Sequence, residues 1–332
     1  MDLITQGAIG AAAAQCTSNR DRLKRAVLLG GFGGMLPDLD ILIRSPTDPL
    51  LFLDFHRHFT HALAFIPIGG AIAAWLCAKL SRGRLSFRDA WLPCTIGYAT
   101  HGLLDGCTSY GTYLFWPFSN TRVAWDIISI IDLLFTVPLL IGLWLTHRTG
   151  RKRWIGGALT VSLLYLCTSA IQHERALDAL QSFAEARGHT PIGASAKPSF
   201  GNSLVFRSYY EHAGNYYVDA IRVGWLSPPK LYPGTTIPVF DIDAYVRKHG
   251  LDDTKVTDLK RFEHFSAGFL TQHPDKPTVI GDLRYAAVPN AVEPLWGIDV
   301  LTPPRDAHAA WITRRGFGRD KRQKFWDMLW GR

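Results

Sequence analysis

The sequence predicts a mostly α-helical protein, in which a polytopic transmembrane helical domain (1–171) is followed by a small α+β domain (172–332). The first half consists of apolar segments separated by short basic breaks, whereas the second half is polar and aromatic. Apolar segments near 20 residues suit membrane helices. In the second half, the Gly214-Asn215 pair lies between two β-rich runs, a pattern typical of a hairpin.

The apolar half divides into six helix candidates. The first two are short and rich in glycine, and the other four carry almost no charge. They are Leu3–Gln15, Ala26–Leu36, Ala62–Ala78, Ala90–Leu104, Ile127–Leu145 and Trp154–Ile171. The glycines of the second candidate suit close packing of membrane helices. A phosphate-binding loop is the alternative there, but the lysine of that motif is missing. A loop at 44–60 precedes the third candidate, and Thr60 is its expected N-cap.

Basic residues set the predicted orientation. The breaks at 20–25, 79–88 and 148–153 are separated each time by two crossings, and Lys and Arg favour the cytoplasmic side. The loops 44–60 and 106–125 then lie outside. Residues 172–332 are expected to emerge on the same outer side.

The second half begins with an amphipathic helix, His173–Arg187, and a linker, Pro191–Pro198. Expected strands are Ser203–Tyr210, Tyr216–Val223 and Thr278–Val288. The tail from Arg314 to Arg332 interleaves seven basic residues with aromatic ones. That composition suits an anionic membrane surface, and a solvated chain end is the equally weighted alternative.

Charge and cysteine content narrow the class of protein. The net charge of +8 is concentrated in the membrane-flanking breaks and the tail, so no nucleic-acid partner is expected. The five cysteines are scattered through the apolar half without CxxC spacing. This argues against a thiolate zinc site and against a disulfide framework.

Three clusters of metal-ligand residue types lie at predicted outer helix ends. They are Pro37-Asp38-Leu39-Asp40, His56-Arg57-His58-Phe59-Thr60-His61 and His101-Gly102-Leu103-Leu104-Asp105. His101 and Asp105 share a helix face because they are four residues apart. Spacing alone does not decide whether His56 or His58 accompanies His61. We expect the clusters to converge on one metal site.

Carboxylate and imidazole ligands suit Zn²⁺ or Mn²⁺, and the number of side chains would allow one or two ions. Such a site can activate water for attack on a phosphoester. Asp132 is expected as an intramembrane functional carboxylate, with a partner role for Arg122 or a histidine as the alternative. Arg57 or Arg122 is expected to pair with an anionic oxygen, and lipid headgroup contact is the alternative for both.

At these residues the sequence resembles the YdjM-like family of bacterial inner-membrane putative metal-dependent hydrolases. The resemblance covers about residues 1–150. It rests on the segments Met1–Gln6, Pro37–Asp40, His56–His61, His101–Asp105, Tyr110–Ser119 and Ile130–Asp132. The family pattern implies six ligands, namely Asp38, Asp40, His56, His61, His101 and Asp105. It favours His56 over His58, which stands where the family usually has glycine, and Gln6 stands where many members have histidine.

The resulting hypothesis is a multi-pass inner-membrane hydrolase with an extracytoplasmic C-terminal domain. Membrane lipids are the expected partners, and an ester or phosphoester, lipid-derived or not, is the expected substrate. Asp132 would orient a histidine, and Arg57 would contact the substrate. The alternative is a non-catalytic membrane protein in which the metal or a polar network is structural and the outer domain binds a partner. A metal transporter is disfavoured because the ligands cluster at one face instead of near mid-bilayer.

Overall fold

The computed structural model describes residues 1–314 and 316–332, and the chain divides into two compact units. The first unit comprises Met1–Leu42, Phe55–Ile171 and Phe200–Ser203. The second comprises Ile43–Asp54, Gln172–Ser199 and Leu204–Arg332. The segment Ile43–Asp54, here called the inserted segment, therefore groups with the C-terminal half of the chain although it lies between apolar helices in the sequence.

Helices dominate the chain up to residue 186. They are α1 (Leu3–Thr17), α2 (Leu23–Met35), α3 (Leu51–Phe55), α4 (Ile66–Leu80), α5 (Phe87–Gly106), α6 (Leu133–Thr149) and α7 (Arg153–Ala186). Asp2, Ser86 and Asp132 accept hydrogen bonds from backbone N–H groups in the first turns of α1, α5 and α6. These side chains satisfy helix N–H groups that have no partner within the helix.

Two helical stretches are long and apolar enough to cross a membrane, namely Leu63–Leu80 and Arg153–Ala186. The apolar helix α6 is shorter, at 17 residues. The expected N-cap role of Thr60 was wrong. Two 3₁₀ turns, Phe59–His61 and Leu63–Phe65, precede α4, which begins at Ile66. The predicted membrane span Trp154–Ile171 and the predicted amphipathic helix after it form one continuous helix, α7.

Glycine permits the close approach of α5 to its neighbours. A Cβ on Gly97 would lie 2.0 Å from the Gly30 carbonyl oxygen of α2. A Cβ on Gly102 would lie 2.1 Å from the His61 carbonyl oxygen. Both distances are far below van der Waals contact, so only glycine fits without backbone movement. The metal-ligand clusters are carried by these closely packed segments.

The second unit contains two four-stranded antiparallel sheets. The first has the order β1-β2-β3-β4, with β1 (Ile192–Pro198), β2 (Val205–His212), β3 (Asn215–Arg222) and β4 (Lys230–Pro238). The second has the order β5-β6-β7-β8, with β5 (Leu270–His273), β6 (Lys276–Asp282), β7 (Trp296–Asp299) and β8 (Ala310–Thr313). Helices α8 (Ile242–His249), α9 (Asp253–Phe265) and α10 (Arg319–Trp330) complete the unit.

The β2–β3 hairpin lies where the sequence predicts it, with Ala213 and Gly214 at φ 50° and 72° in the turn. Residues 191–198 were expected to be a linker, and this was wrong, because Ile192–Pro198 pairs with β2 as strand β1. The predicted strand Thr278–Val288 ends earlier, at Asp282, where β6 stops.

Within the second unit, the inserted segment contacts α9 and β8. Arg261 lies 3.0 Å from Asp48 Oδ2 and 2.6 Å from Asp54 Oδ2, and the rings of Phe52 and Trp311 are 5.0 Å apart. The tail forms α10, which buries Phe325 and Met328 and leaves Trp330 exposed. The tail is therefore not a frayed end along α10. Arg315, part of the same predicted tail, lies outside the described residues.

Candidate metal centre

Four side chains from distant parts of the first unit come together in one group: Asp38, His61, His101 and Asp105. One potential ligand atom from each lies within 4.8 Å of the others. The two histidine Nε2 atoms are 2.9 Å apart. The distances from these nitrogens to Asp38 Oδ1 and Asp105 Oδ2 range from 3.2 to 3.6 Å. His61, His101 and Asp105 are buried, and the Asp38 side chain is 21% exposed.

The local sequence explains how each ligand reaches this point. Pro37 lacks a backbone N–H, and α2 gives way to a 3₁₀ helix, Leu36–Leu42, that carries Asp38. His101 and Asp105 lie one turn apart near the end of α5. His61 is the last residue of the 3₁₀ turn Phe59–His61. Its backbone carbonyl oxygen lies against Gly102 of α5, which brings the residue close to that helix.

Hydrogen bonds on the far side of each imidazole direct a lone pair toward the group. His101 Nδ1 lies 2.6 Å from the Gly34 carbonyl oxygen, which can only accept, so Nδ1 carries the proton. His61 Nδ1 lies 3.0 Å from Thr60 Oγ1 and 3.3 Å from Asp40 Oδ2. Because Thr60 Oγ1 donates its own proton to Asp40, it accepts from His61 Nδ1.

In the neutral rings, both Nε2 atoms then present lone pairs to each other at 2.9 Å. Two such lone pairs and two carboxylates facing one point would be stabilised by a cation between them. Asp105 Oδ2 is buried and makes no hydrogen bond of good geometry with any described residue. The donor set therefore fits a divalent metal, and Asp40, which accepts from Thr60 Oγ1 and lies 3.3 Å from His61 Nδ1, would place a negative charge behind that ligand.

Asp40 and His56 were expected as ligands, and the structure places them beside the four-residue group. Asp40 Oδ1 lies 2.7 Å from His56 Nδ1. Asp40 Oδ2 accepts from the Arg57 backbone N–H at 2.8 Å and from Thr60 Oγ1 at 2.9 Å. Both oxygens of Asp40 are thus engaged, so Asp40 positions His61 instead of joining the group. The ring of His58, the alternative to His56, lies tilted against the rings of Tyr113 and Trp116, with centroids 4.8 and 5.6 Å away.

Arg57 contributes charge from within the same site. Its Nε lies 3.3 Å from Asp105 Oδ2, and its guanidinium lies over the Tyr110 ring at 4.6 Å. Arg57 has φ 63°, a left-handed backbone conformation that costs a non-glycine residue energy. The guanidinium of Arg122 also lies over the Tyr110 ring, at 4.7 Å. Two guanidinium groups therefore share one aromatic ring beside the metal-ligand group.

Asp132 does not contact a histidine as expected. Its Oδ1 accepts from the backbone N–H groups of Leu134 and Phe135 at the start of α6, and its Oδ2 accepts from the Tyr165 hydroxyl at 2.8 Å. The expectation that it lies within a helix was also wrong, because it is the N-cap of α6. Its structural role is to cap that helix.

Gln6 also belongs to the site, although the family resemblance left its role open. It is fully buried, and its Nε2 donates to Asp105 Oδ1 at 2.9 Å. The amino group of Met1 contacts the same oxygen. No spacing pattern indicates a site role for Gln6, Thr60 or the Gly34 carbonyl, because these groups act through other residues.

Asp38 and Asp40, both in the 3₁₀ helix Leu36–Leu42, are held ionised by their histidine neighbours. Burial alone would raise the pKa of Asp38, but when no metal is bound the imidazoles of His101 and His61 can take up a proton and donate it to this carboxylate, and these hydrogen bonds hold its pKa well below its usual value. Burial likewise opposes ionisation of Asp40, and the hydrogen bond with His56 contributes most to lowering its pKa. Two ionised carboxylates suit a cation site.

A comparison with known families identifies the first part of the chain. The sequence profile of the family described as YdjM inner membrane protein matches residues 1–176, more than half of the chain. The chain belongs to the YdjM inner membrane protein family. This confirms the resemblance read from the motifs, and all four residues of the metal-ligand group lie inside the matched region.

A curated relative agrees with this assignment. The inner membrane protein YbcI of Escherichia coli (strain K12) is 30% identical over 112 residues, which is 32% of this chain and 62% of YbcI. The chain thus matches less than two thirds of that relative. No solved structure matches the chain significantly. The family and this relative support an inner-membrane location.

Proposed function

We propose that this protein is an integral inner-membrane hydrolase that uses a divalent metal to cleave an ester or phosphoester. The observation that carries the proposal is the convergence of two histidine Nε2 lone pairs and two aspartates at one buried point. Asp38, His61, His101 and Asp105 would hold the metal. When bound there, the metal would act as a Lewis acid that activates water and polarises the substrate.

The spacing and number of the ligand atoms fit a tetrahedral zinc ion. Bonds of about 2.0–2.1 Å in a tetrahedron place ligand atoms about 3.3–3.4 Å apart. The five measured nitrogen–nitrogen and nitrogen–oxygen distances run from 2.9 to 3.6 Å. One group of four side chains provides for one ion, and four ligands suit tetrahedral zinc better than octahedral manganese. We therefore propose a single zinc ion in preference to two metals.

The residues around the group have distinct roles in this proposal. Asp40 orients His61, and Arg57 balances the charge of Asp105 while its guanidinium remains near the site for an anionic oxygen. Asp38 is the ligand that reaches solvent, so substrate would approach on its side. The expected catalytic role of Asp132 is not part of the proposal.

Lipid is the proposed environment of the substrate. Leu39 and Leu42 lie in the same 3₁₀ helix as Asp38 and are 52% and 71% exposed, and Phe118 is 89% exposed. Exposed apolar side chains next to a buried polar site suit contact with a membrane. We propose a multi-pass domain over residues 1–171, with the site at the outer leaflet and residues 172–332 extracytoplasmic, as the basic breaks indicate.

A structural metal site is the second candidate, and one observation favours it. Four protein ligands fill a tetrahedral zinc site, and closed sites of this kind are usually structural. Catalysis would need a fifth position, which zinc adopts in some transition states. The partial exposure of Asp38 is the feature that leaves room for it.

Metal analysis and hydrolysis assays on the full-length protein in detergent test the two candidates. We expect about one zinc per chain, lost in Asp38→Asn and His101→Ala and retained in Asp132→Asn. Chelator-sensitive hydrolysis of a chromogenic phosphodiester, or of phospholipid vesicles, supports the enzyme. Stoichiometric metal without hydrolysis of either substrate supports the structural site. Protein free of metal whose stability does not respond to added zinc contradicts both.

A further inference from the structure

A second feature of the first unit lies at the opposite ends of α2 and α5. The metal-ligand residues lie just after α2, before α4 and near the C-terminal end of α5. A cavity of about 320 Å³ is lined instead by residues from the N-terminal parts of both helices, including Arg22, Arg25 and Arg88. Its volume falls in the range of small-ligand sites. Because it shares no residue with the metal-ligand group, it can be tested independently of the proposed hydrolase activity.

The lining of this cavity carries a net positive charge. Three arginines and one carboxylate, Asp89, give a net charge of +2. Arg22 Nη1 lies 3.1 Å from Asp89 Oδ1, so that arginine is already paired. The ammonium group of Lys152 donates to the carbonyl oxygen of Ser18, another lining residue, at 2.8 Å. Among the residues that the structure describes, Arg25 and Arg88 are the lining arginines that form no ion pair or side-chain hydrogen bond, so they are the ones proposed to meet an anion.

The rest of the lining comprises three polar residues, Thr17, Ser18 and Asn19, and five apolar ones. Ala26 and Leu29 are buried at the cavity, and Leu85 and Pro93 add further apolar surface. Leu92 also lines it and is 63% exposed on the outside of α5. A ligand with a phosphate at the arginines and a hydrocarbon portion along Leu92 would match both parts of the lining. A free phosphate ion would leave the apolar part without a partner.

We propose that this cavity binds the headgroup of an anionic phospholipid, with the phosphate between Arg25 and Arg88. Guanidinium groups bind phosphate oxygens through paired hydrogen bonds. Basic pockets between membrane helices on the cytoplasmic side are suited to anionic headgroups. The three basic breaks, one of which contributes Arg22 and Arg25, are on the side that the charge pattern assigns to the cytoplasm. The bound lipid would join α2 to α5 at the end remote from the metal-ligand group.

Lipid-dependent stability of the full-length protein tests this proposal. The unfolding temperature is measured in detergent with added phosphatidylglycerol, phosphatidylcholine or inorganic phosphate, and retained lipid is counted by native mass spectrometry. We expect phosphatidylglycerol alone to raise the unfolding temperature and to remain bound at one molecule per chain. Arg25→Gln with Arg88→Gln should reduce its apparent affinity at least tenfold. The matched control, Arg20→Gln with Arg84→Gln, removes the same charge from the same two chain segments without touching the cavity lining.

Three results would overturn the proposal. Equal stabilisation by phosphatidylcholine would remove the role of charge, and equal stabilisation by inorganic phosphate would assign the site to a free anion. An equal loss of affinity in the control variant would indicate general surface attraction. If the double variant does not fold, Arg88→Gln alone is measured in the same way, because this arginine is exposed in the first turn of α5.

Discussion

Asp40 offers the sharpest test of the metal centre, because it touches the group through His61 and not directly. Its Oδ2 lies 3.3 Å from His61 Nδ1 and also accepts from the Arg57 N–H and Thr60 Oγ1. In Asp40→Asn one oxygen can keep these contacts, but the negative charge behind the imidazole is lost. His61 then becomes a weaker and less firmly oriented ligand.

The expected loss follows from the cost of removing such a partner. Substitutions behind a ligating histidine typically weaken metal affinity about 10–100-fold, or about 1.4–2.7 kcal/mol. Removing a ligand itself, as in Asp38→Ala, should cost more. Affinity is measured by zinc competition against a fluorescent chelator. The metal-dependent rise in unfolding free energy should fall in parallel, since a ligand stabilises the folded state according to its affinity.

Asp132→Asn is the matched control for this prediction. It neutralises another buried aspartate of the same unit, and asparagine remains a good N-cap. Its zinc affinity should equal that of the unsubstituted protein. If Asp40→Asn binds zinc as tightly as the control does, the assignment of Asp40 as the partner of His61 is wrong. If Asp38→Ala also binds normally, the whole ligand group is wrong.

Three further predictions concern packing, capping and the second unit. Gly102→Ala places a Cβ 2.1 Å from a ligand histidine's carbonyl oxygen, so unfolding free energy should fall by about 1–3 kcal/mol with weaker zinc binding. Gly157→Ala, in open space, should leave zinc binding unchanged. Asp132→Ala removes the α6 cap, which should cost about 0.5–2 kcal/mol in thermal unfolding at unchanged zinc affinity. Arg261→Gln removes the ion-pair partner of Asp48 and Asp54, so limited proteolysis should cut the inserted segment faster. The control Lys260→Gln changes an exposed neighbour and should leave the cleavage rate unchanged.

Sequence periodicity was sufficient to indicate part of the candidate site. The four-residue spacing of His101 and Asp105 on a helix determines a common face, and Pro37 marks the end of α2 before Asp38. Which carboxylate of the first cluster faces the histidines was beyond the sequence. That choice depends on Thr60 and on the Arg57 backbone N–H, which engage Asp40 through contacts between distant segments.

The same limit explains the errors in the fold. Residues 192–198 looked like a linker because prolines flank them, yet pairing with β2 makes them a strand. Local composition does not reveal pairing with a distant partner. Asp132 was expected within the helix Ile127–Leu145 because apolar residues surround it in sequence. The helix begins one residue later, and the carboxylate satisfies its first N–H groups.

The grouping of residues 43–54 with the second unit has a practical consequence for dissecting this protein. A chain shortened to end near residue 171 would keep Phe52 and the carboxylates of Asp48 and Asp54 but lose the aromatic ring and the guanidinium that they contact. The inserted segment, without these contacts, connects Asp40 to His56 along the chain, and the side chains of these two residues are hydrogen-bonded beside the ligand group. Deleting the C-terminal half would therefore free this segment and could displace Asp40 and His56 beside the metal ligands. A loss of zinc binding in such a fragment would not show that the deleted half supplies a ligand.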